Sequence, residues 1–149
     1  MRAILQRSLH SEVSINGKKV GSIDKGLVIL VGFTYKDEEK DIDYLVDKIL
    51  HLRIFDDKNG VMNQSLLDQG GSILSISQFT LYADTKKGRR PSYIKALKSE
   101  EAKPLYDLFN QKLKEFVKVE TGVFGADMKV SITNDGPVTI LLESRKSYD

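Results

Sequence analysis

Residues 2–23 read RAILQRSLHSEVSINGKKVGSI, and this stretch decides the fold because it predicts a strand that turns back on itself. Asn16-Gly17 marks the turn, since both central residues of a tight type I′ turn need a positive φ, which Asn and Gly tolerate. We therefore expect a strand over residues 2–15 and an antiparallel return over residues 18–23. The nearly continuous apolar run from Leu27 to Phe33 predicts a third strand that is buried on both faces.

Two later stretches have the periodicity of amphipathic helices. We expect Asp37 to cap the first helix. The second helix is expected over roughly residues 100–117, with Ser99 as its cap and with Pro104 either delaying its start or bending it. The apolar stripe of the first helix recurs at helical spacing and consists of Ile42, Leu45, Val46, Ile49 and Leu50.

Further strands complete the expected sheet. A short strand is expected at Arg53–Phe55, and a longer one from Ile73 to Tyr82. Residues 127–133 and 138–143 read as two more strands, joined by a turn at Asn134–Pro137. The total of about six or seven strands and two main helices predicts an α+β (mixed α/β) fold with a mostly antiparallel, barrel-like sheet.

Composition bounds the class of protein. The chain has 149 residues, which predicts a single compact domain over residues 1–149. It contains no cysteine, which excludes a disulfide scaffold, a cysteine nucleophile and thiolate metal sites. Its net charge of +2 does not demand a nucleic-acid partner. The sequence has neither a signal-peptide pattern nor a long apolar run, so we expect a soluble cytoplasmic protein.

Familiar catalytic patterns are missing from the sequence. His10 and His51 are the only histidines, and we expect both to be structural or at the surface. A catalytic triad built on histidine is therefore not expected. The sequence has no phosphate loop and no dinucleotide-binding fingerprint. We expect neither a metal ion nor a cofactor.

Polar side chains cluster at the end of one predicted strand. Ser75, Ser77, Gln78 and Thr80 fit an ordinary strand, and the pattern taken alone favours that interpretation. The functional alternative is that main-chain N–H groups here form an oxyanion hole, which stabilises a tetrahedral intermediate. Thr80 could act as a nucleophile only if a base accepted its proton, and the neighbouring sequence offers none.

Two other segments have both an ordinary and a functional interpretation. Asn134–Thr139 reads Asn-Asp-Gly-Pro-Val-Thr, which suits a hairpin turn with proline as the first residue of the next strand. Its glycine would also allow close approach to a ligand. The run Lys86-Lys87-Gly88-Arg89-Arg90 is the densest basic cluster, and a solvated loop is its ordinary interpretation.

The motifs, taken together and in order, resemble those of the D-aminoacyl-tRNA deacylase (D-tyrosyl-tRNA deacylase) family. Each motif is weak alone, but the ordered set is specific and extends over essentially the whole chain. The matching segments are Met1–Arg7, Asn16-Gly17, Lys48–Phe55, Met62-Asn63, Ser77–Leu81, Gly88–Ser92, Gly122–Met128 and Asn134–Thr139.

This resemblance implies a homodimeric editing hydrolase with its active site at the subunit interface. Such an enzyme cleaves the ester of D-aminoacyl-tRNA at the 3′ acceptor end, and it also removes glycine from mischarged tRNA. It thereby proofreads aminoacyl-tRNA before translation, without a cofactor. The family also implies a pocket that rejects L-aminoacyl substrates.

The resemblance also implies roles for particular residues. Catalysis would fall to the segment containing Ser77, Gln78, Phe79 and Thr80. Gly136 and Pro137, joined by a cis bond, would reach into the partner's pocket, hold the substrate ammonium group and exclude L side chains. The remaining substrate wall would consist of Phe124, Gly125, Ala126 and Met128. Phosphate contacts with tRNA would come from Lys86, Lys87, Arg89 and Arg90.

Several alternatives stay open at the level of sequence. The chain could be a related editing enzyme with relaxed chirality and a trans Gly-Pro bond. It could also be an RNA-binding module without catalysis, or a hydrolase of small amino-acid esters. Within the deacylase reading, either Thr80 or the ribose 2′-hydroxyl of the tRNA could assist attack. The lack of a local base for Thr80 favours the 2′-hydroxyl.

Overall fold

The computed structural model describes residues 1–145, so the end of the predicted domain at residue 149 lies outside the described residues. A 3-10 helix covers Phe79–Tyr82. The other elements, in chain order, are β1 (Arg2–Ile15), β2 (Lys18–Ile23), β3 (Gly26–Gly32), α1 (Glu39–His51), β4 (Phe55–Asp56), β5 (Met62–Gln64), α2 (Leu66–Gln69), β6 (Ser72–Ser77), α3 (Ser99–Lys114), β7 (Val119–Thr121) and β8 (Lys129–Glu143).

Six strands form one strongly curved sheet in the order β2-β1-β3-β6-β7, with β8 also paired to β1. The pairings of β1 with β2, β3 and β8 are antiparallel, whereas β6 pairs parallel with β3 and β7. The outer strands approach each other, because a Cβ added to Gly21 of β2 would lie 2.8 Å from the Thr121 carbonyl oxygen of β7. The sheet is therefore nearly closed, and the predicted α+β fold with a barrel-like sheet is confirmed.

The sheet buries apolar side chains on both of its faces. One face packs against α1 and α3 and forms the main core, which includes Leu27, Ile29 and Val31 of β3. The opposite face encloses a second cluster, in which Val28 of β3 contacts residues of its neighbouring strands. Strand β3 is thus buried on both faces, as its continuous apolar run predicted.

The start of α1 differs from the prediction that Asp37 caps it. The N-cap is Glu38, whose backbone N–H donates to Asp41 Oδ2 at 2.9 Å. The side chain of Asp37 is buried and accepts a hydrogen bond from the Met1 amino group at 2.8 Å, and another from the Thr34 N–H at 2.7 Å. The Asp37 carboxylate pairs with the Met1 amino group, a cation that burial has removed from water, so it is not available to cap α1.

Helix α3 begins at Ser99, with Lys98 as its N-cap, so the prediction of Ser99 as the cap is wrong by one residue. Pro104 lies inside this helix, so it does not delay the start. Proline has a φ that suits a helix, and its cost is the missing N–H that would otherwise bond four residues back.

The largest difference from the sequence prediction is in β8. Residues 129–143 form one strand paired with β1, and the two strands joined by a turn at Asn134–Pro137 are not present. The register passes from Ser8↔Asn134 to Gln6↔Thr139, so four residues of β8 face Arg7 alone. Both flanks of the segment pair with the same strand, which makes it a β-bulge with four residues opposite one.

The bulge is closed by its own side chains. Asn134 Nδ2 donates to Thr139 Oγ1 at 3.0 Å, and the Val138 N–H donates to Asn134 Oδ1 at 3.3 Å. The Gly136–Pro137 peptide bond is cis, and Gly136 has a φ of +121°. Gly136 and Pro137 are both exposed.

Candidate active site

Strand β6 ends at Ser77, and the chain then enters the 3-10 helix, so the predicted strand to Tyr82 is five residues too long. The Gln78 N–H donates to the Val31 carbonyl at 2.7 Å, which is the last backbone bond at this end of β6. Tyr82 is buried and anchors the far end of the 3-10 helix. Phe79 and Thr80 occupy the first helical positions, where N–H groups lack partners within the helix.

A second segment leaves β7 at Thr121 and folds beside the first one. Gly125 turns this loop with a φ of +79°, and the Ala126 N–H donates to the Val123 carbonyl at 3.1 Å. A Cβ at Gly122 would clash with the Met128 sulfur atom. Glycine at position 122 therefore lets Met128 lie close against the end of β7.

The two segments enclose a cavity of about 500 Å³. Ser77, Gln78 and Phe79 form one side. Thr80 is not among the described residues that line it, although its Oγ1 accepts a hydrogen bond from the Gln78 side-chain amide. The structure thus brings together residues of both predicted segments, and those on the opposite side are Phe124, Gly125, Ala126 and Met128.

The rest of the cavity wall was missed by reasoning from the sequence. It comes from the end of β3 and from the start of α3, which are held together by the Leu97 N–H donating to the Phe33 carbonyl at 3.0 Å. One available signal was Gly32, because a glycine in a strand often marks a close backbone approach. A Cβ there would lie 2.7 Å from the Gln78 carbonyl oxygen. The missed lining residues include Tyr93, Leu97, Lys98, Ser99 and Ala102.

The cavity is poor in ionisable groups. Among the described residues that line it, Lys98 is the single charged residue, and none is a histidine. His10 pairs with Asp24 at 2.9 Å on the surface, and this hydrogen bond raises the pKa of the imidazole. Within residues 1–145 the wall offers main-chain N–H groups, hydroxyls and an amide, and no carboxylate or imidazole that could act as a base.

The basic cluster lies in an exposed loop that precedes Tyr93, a residue that lines the cavity. Asp84 and Ser92 close this loop through two backbone hydrogen bonds of 2.8 Å. The N–H of Lys86 donates to Asp84 and lowers the pKa of the Asp84 carboxyl. Tyr93 then meets Phe79 edge-on, with ring centroids 5.1 Å apart. All four predicted tRNA-contacting residues are exposed, namely Lys86, Lys87, Arg89 and Arg90.

Gly136 and Pro137 are not among the described residues that line this cavity. Their neighbour Asp135 is held by Arg7, whose buried guanidinium lies 3.2 Å from the carboxylate through Nε. The same guanidinium donates to the Ile54 carbonyl at 2.9 Å through NH1. The bulge is therefore fixed to the body of the fold, while its tip faces outward.

Comparison with known proteins places the chain among tRNA-acting enzymes. A family model described as D-Tyr-tRNA(Tyr) deacylase matches residues 4–143. A D-aminoacyl-tRNA deacylase from Thermus aquaticus is 56% identical over 145 residues, with coverage of 97% of this chain and 95% of the relative. One from Clostridium botulinum (strain 657 / Type Ba4) is 58% identical over 149 residues, with coverage of 99% and 100%.

Solved structures share the fold. The c-Myc DNA Unwinding Element Binding Protein superposes with a TM-score of 0.93 at 37% identity, covering 98% of this chain and 100% of that one. A probable eukaryotic D-amino acid tRNA deacylase has a TM-score of 0.81 at 20% identity, covering 95% and 98%, which supports the fold alone.

The full-length matches define the protein as a hydrolase that acts on the ester bond of aminoacyl-tRNA. The chain belongs to the D-Tyr-tRNA(Tyr) deacylase family, as its ordered motifs predicted. No helix among residues 1–145 is long and apolar enough to cross a membrane.

Proposed function

We propose that this chain hydrolyses the ester that joins a D-amino acid to the 3′ end of tRNA, releasing the free D-amino acid and tRNA in the cytoplasm. The cavity between Ser77–Phe79 and Phe124–Met128 carries the proposal. A cavity of about 500 Å³ has room for an aminoacyl group and part of a nucleoside, and it lies in a chain of the deacylase family.

The main chain supplies the catalytic groups in this proposal. A water molecule attacks the ester carbonyl, and the N–H groups of Phe79 and Thr80 stabilise the negative charge that develops on its oxygen. The carbon–oxygen bond to the ribose then breaks, and the proton from water passes to the departing 3′ oxygen. Ser77 and Gln78 orient the ester. The absence of a base among the described lining residues favours assistance by the ribose 2′-hydroxyl of the substrate over attack by Thr80.

Selection of D over L substrates is assigned to Gly136 and Pro137 of a second copy of the chain. Their exposure supports this assignment, as does their absence from the described lining of their own cavity. A main-chain wall inserted into the partner's cavity leaves open space for a D side chain and clashes with an L side chain. Glycine has no side chain to reject, so glycyl-tRNA is cleaved as well.

The remaining assignments follow from the positions of the residues around the cavity. Phe124, Gly125, Ala126 and Met128 contact the aminoacyl end of the substrate from the side opposite Ser77. The exposed cations of the loop before Tyr93 contact phosphates of the acceptor end, and these are Lys86, Lys87, Arg89 and Arg90.

Release of amino acid from three substrates tests the proposal. We expect D-tyrosyl-tRNA and glycyl-tRNA to be deacylated, and L-tyrosyl-tRNA to persist at least about 100-fold longer than the D form. D-tyrosine ethyl ester, which lacks tRNA, is the matched control and should react slowly. Equal cleavage of both tyrosyl-tRNAs would indicate relaxed chirality. Binding of tRNA without release would indicate a non-catalytic module, and rapid cleavage of the ethyl ester would indicate a small-ester hydrolase.

A further inference from the structure

The two segments that enclose the cavity follow the ends of two neighbouring strands, and these ends lie side by side in the sheet. Strands β6 and β7 pair in parallel, and their last paired residues are Ser75 and Thr121. Beyond that pair the chains separate, one toward Ser77–Phe79 and the other toward Phe124–Met128. The width of the cavity therefore depends on how the two strand ends are held where they diverge.

Tyr106 of α3 lies at this point and contacts Ser75, two residues before the first segment, and Phe124 of the second segment. Its hydroxyl donates to the Ser75 carbonyl at 2.9 Å and accepts from Ser75 Oγ at 3.3 Å. Its ring packs on Phe124, with centroids 5.7 Å apart and planes inclined by 39°. Tyr106 is 4% exposed, and it is not among the described residues that line the cavity.

The hydroxyl of Tyr106 stays protonated and can keep donating its hydrogen bond. Burial raises the pKa of this phenol, while hydrogen bonds from Ser75 and Asn110 act in the opposite direction. The group thus keeps its proton at neutral pH, and the bond to the Ser75 carbonyl is maintained. A buried carbonyl that loses its donor is costly, so the strand end would shift to regain a partner.

We propose that Tyr106 is a positioning residue that sets the separation between Ser77–Phe79 and Phe124–Met128. This inference rests on the proposed deacylase function of the same cavity. Main-chain oxyanion donors must match the position of the developing oxyanion closely, so a small shift of either segment lowers the rate of the chemical step. Substrate binding, which is spread over the whole cavity, is less sensitive to such a shift.

Tyr106→Phe tests the role, because it removes the hydroxyl and keeps the ring against Phe124. We expect kcat for D-tyrosyl-tRNA to fall about tenfold with KM changed less than about twofold. The matched control is Ser65→Ala, which removes another buried hydroxyl, the one that caps α2 by accepting from the Asp68 N–H at 3.1 Å. This control should lower the melting temperature and leave kcat unchanged. A kcat for Tyr106→Phe within about twofold of wild type would overturn the proposal.

Hydrogen exchange gives a second measurement that does not depend on activity. In Tyr106→Phe we expect the amides of Phe79, Thr80 and residues 124–128 to exchange about tenfold faster, with the rest of the chain unchanged. Uniformly faster exchange would indicate a general loss of stability and would overturn the positioning role, as would no change. If wild type releases no D-tyrosine, the proposed function fails, and the exchange experiment still decides the role of Tyr106.

Discussion

The cavity and the bulge at Asn134–Thr139 are built in opposite ways. The cavity forms where strands end, and its walls come from β3, β6, α3 and the loop after β7, which are joined by contacts distant in sequence. The bulge lies within one strand, is closed by local hydrogen bonds from Asn134, and is exposed at its tip. The described walls of the cavity thus come from a single chain, whereas the exposed tip of the bulge is not among the described residues that line the cavity of the same chain.

The largest effect on kcat is expected from a substitution that crowds the wall of the cavity. Gly32→Ala places a Cβ 2.7 Å from the Gln78 carbonyl oxygen, so the Ser77–Phe79 segment must move. We expect kcat for D-tyrosyl-tRNA to fall about 100-fold. The control Gly71→Ala crowds Leu66 at 2.9 Å, away from the cavity, and should reduce stability without a comparable loss of kcat. Equal kinetic losses in the two variants would show that the clash acts through stability alone.

The next largest effect is expected from a substitution in the bulge, and it concerns the selection of D over L substrates. Gly136→Ala introduces a Cβ 2.9 Å from Val138 Cγ2 at a φ of +121°, which L residues rarely adopt. We expect the ratio of D-tyrosyl-tRNA to L-tyrosyl-tRNA cleavage to fall at least about tenfold. Gly60→Ala is the control, because Gly60 also has a positive φ, +75°, with no atom near its Cβ position. An unchanged ratio in Gly136→Ala would remove the bulge from substrate selection.

The different origins of the two regions explain how much of the fold could be predicted from the sequence. The first hairpin was predictable, because the chemistry that makes it is local: Asn16 and Gly17 have φ angles of 50° and 78°. The bulge was wrongly predicted to be a hairpin turn because its composition is typical of turns. Its two flanks pair with β1, more than a hundred residues away, and no local pattern records that pairing.

The candidate site shows the same limit. The segments at Ser77 and Gly122–Met128 were recognised because their motifs belong to the ordered set that resembles the deacylase family, although each motif is weak alone. The wall from Leu97 to Ala102 was not, since its place depends on the hydrogen bond between Leu97 and Phe33. Tyr106 was read only as part of a helix, although its hydroxyl bonds to a strand end 31 residues earlier in the chain.

A smaller effect, on tRNA affinity, is expected from the basic loop, which precedes Tyr93 of the cavity wall and would add contacts with tRNA. Changing Lys86, Lys87, Arg89 and Arg90 to glutamine should weaken binding of uncharged tRNA about tenfold at low salt. The slope of log affinity against log salt concentration should become shallower by about three. An unchanged slope would exclude phosphate contacts by this loop. The control changes four exposed lysines elsewhere, Lys18, Lys19, Lys58 and Lys114.

The pH dependence of stability should report on Tyr106, which contacts Ser75 and Phe124 beside the cavity. Burial raises the pKa of Tyr106 in the folded state above its ordinary value near 10. The neutral phenol therefore contributes stability that is complete below about pH 10 and is lost as pH rises through the folded pKa. Urea unfolding between about pH 9 and 11 should show a steeper loss for wild type than for Tyr106→Phe. Parallel curves would show that the phenol titrates equally in both states.

The smallest effect on kcat is expected from Thr80→Ala. A small effect would distinguish catalysis by main-chain N–H groups from catalysis by the Thr80 hydroxyl. Thr80 is exposed, its Oγ1 bonds to Gln78, and no base lies among the described residues lining the cavity. The variant keeps the N–H of residue 80, so an oxyanion donor at that position survives. We expect kcat within about twofold of wild type, measured on D-tyrosyl-tRNA. A tRNA ending in 2′-deoxyadenosine should instead lose most turnover, because it lacks the hydroxyl proposed to assist attack. If Thr80→Ala loses about 100-fold in kcat while still binding substrate, and the deoxy substrate reacts normally, Thr80 is the nucleophile and the chemistry rests on a side chain after all.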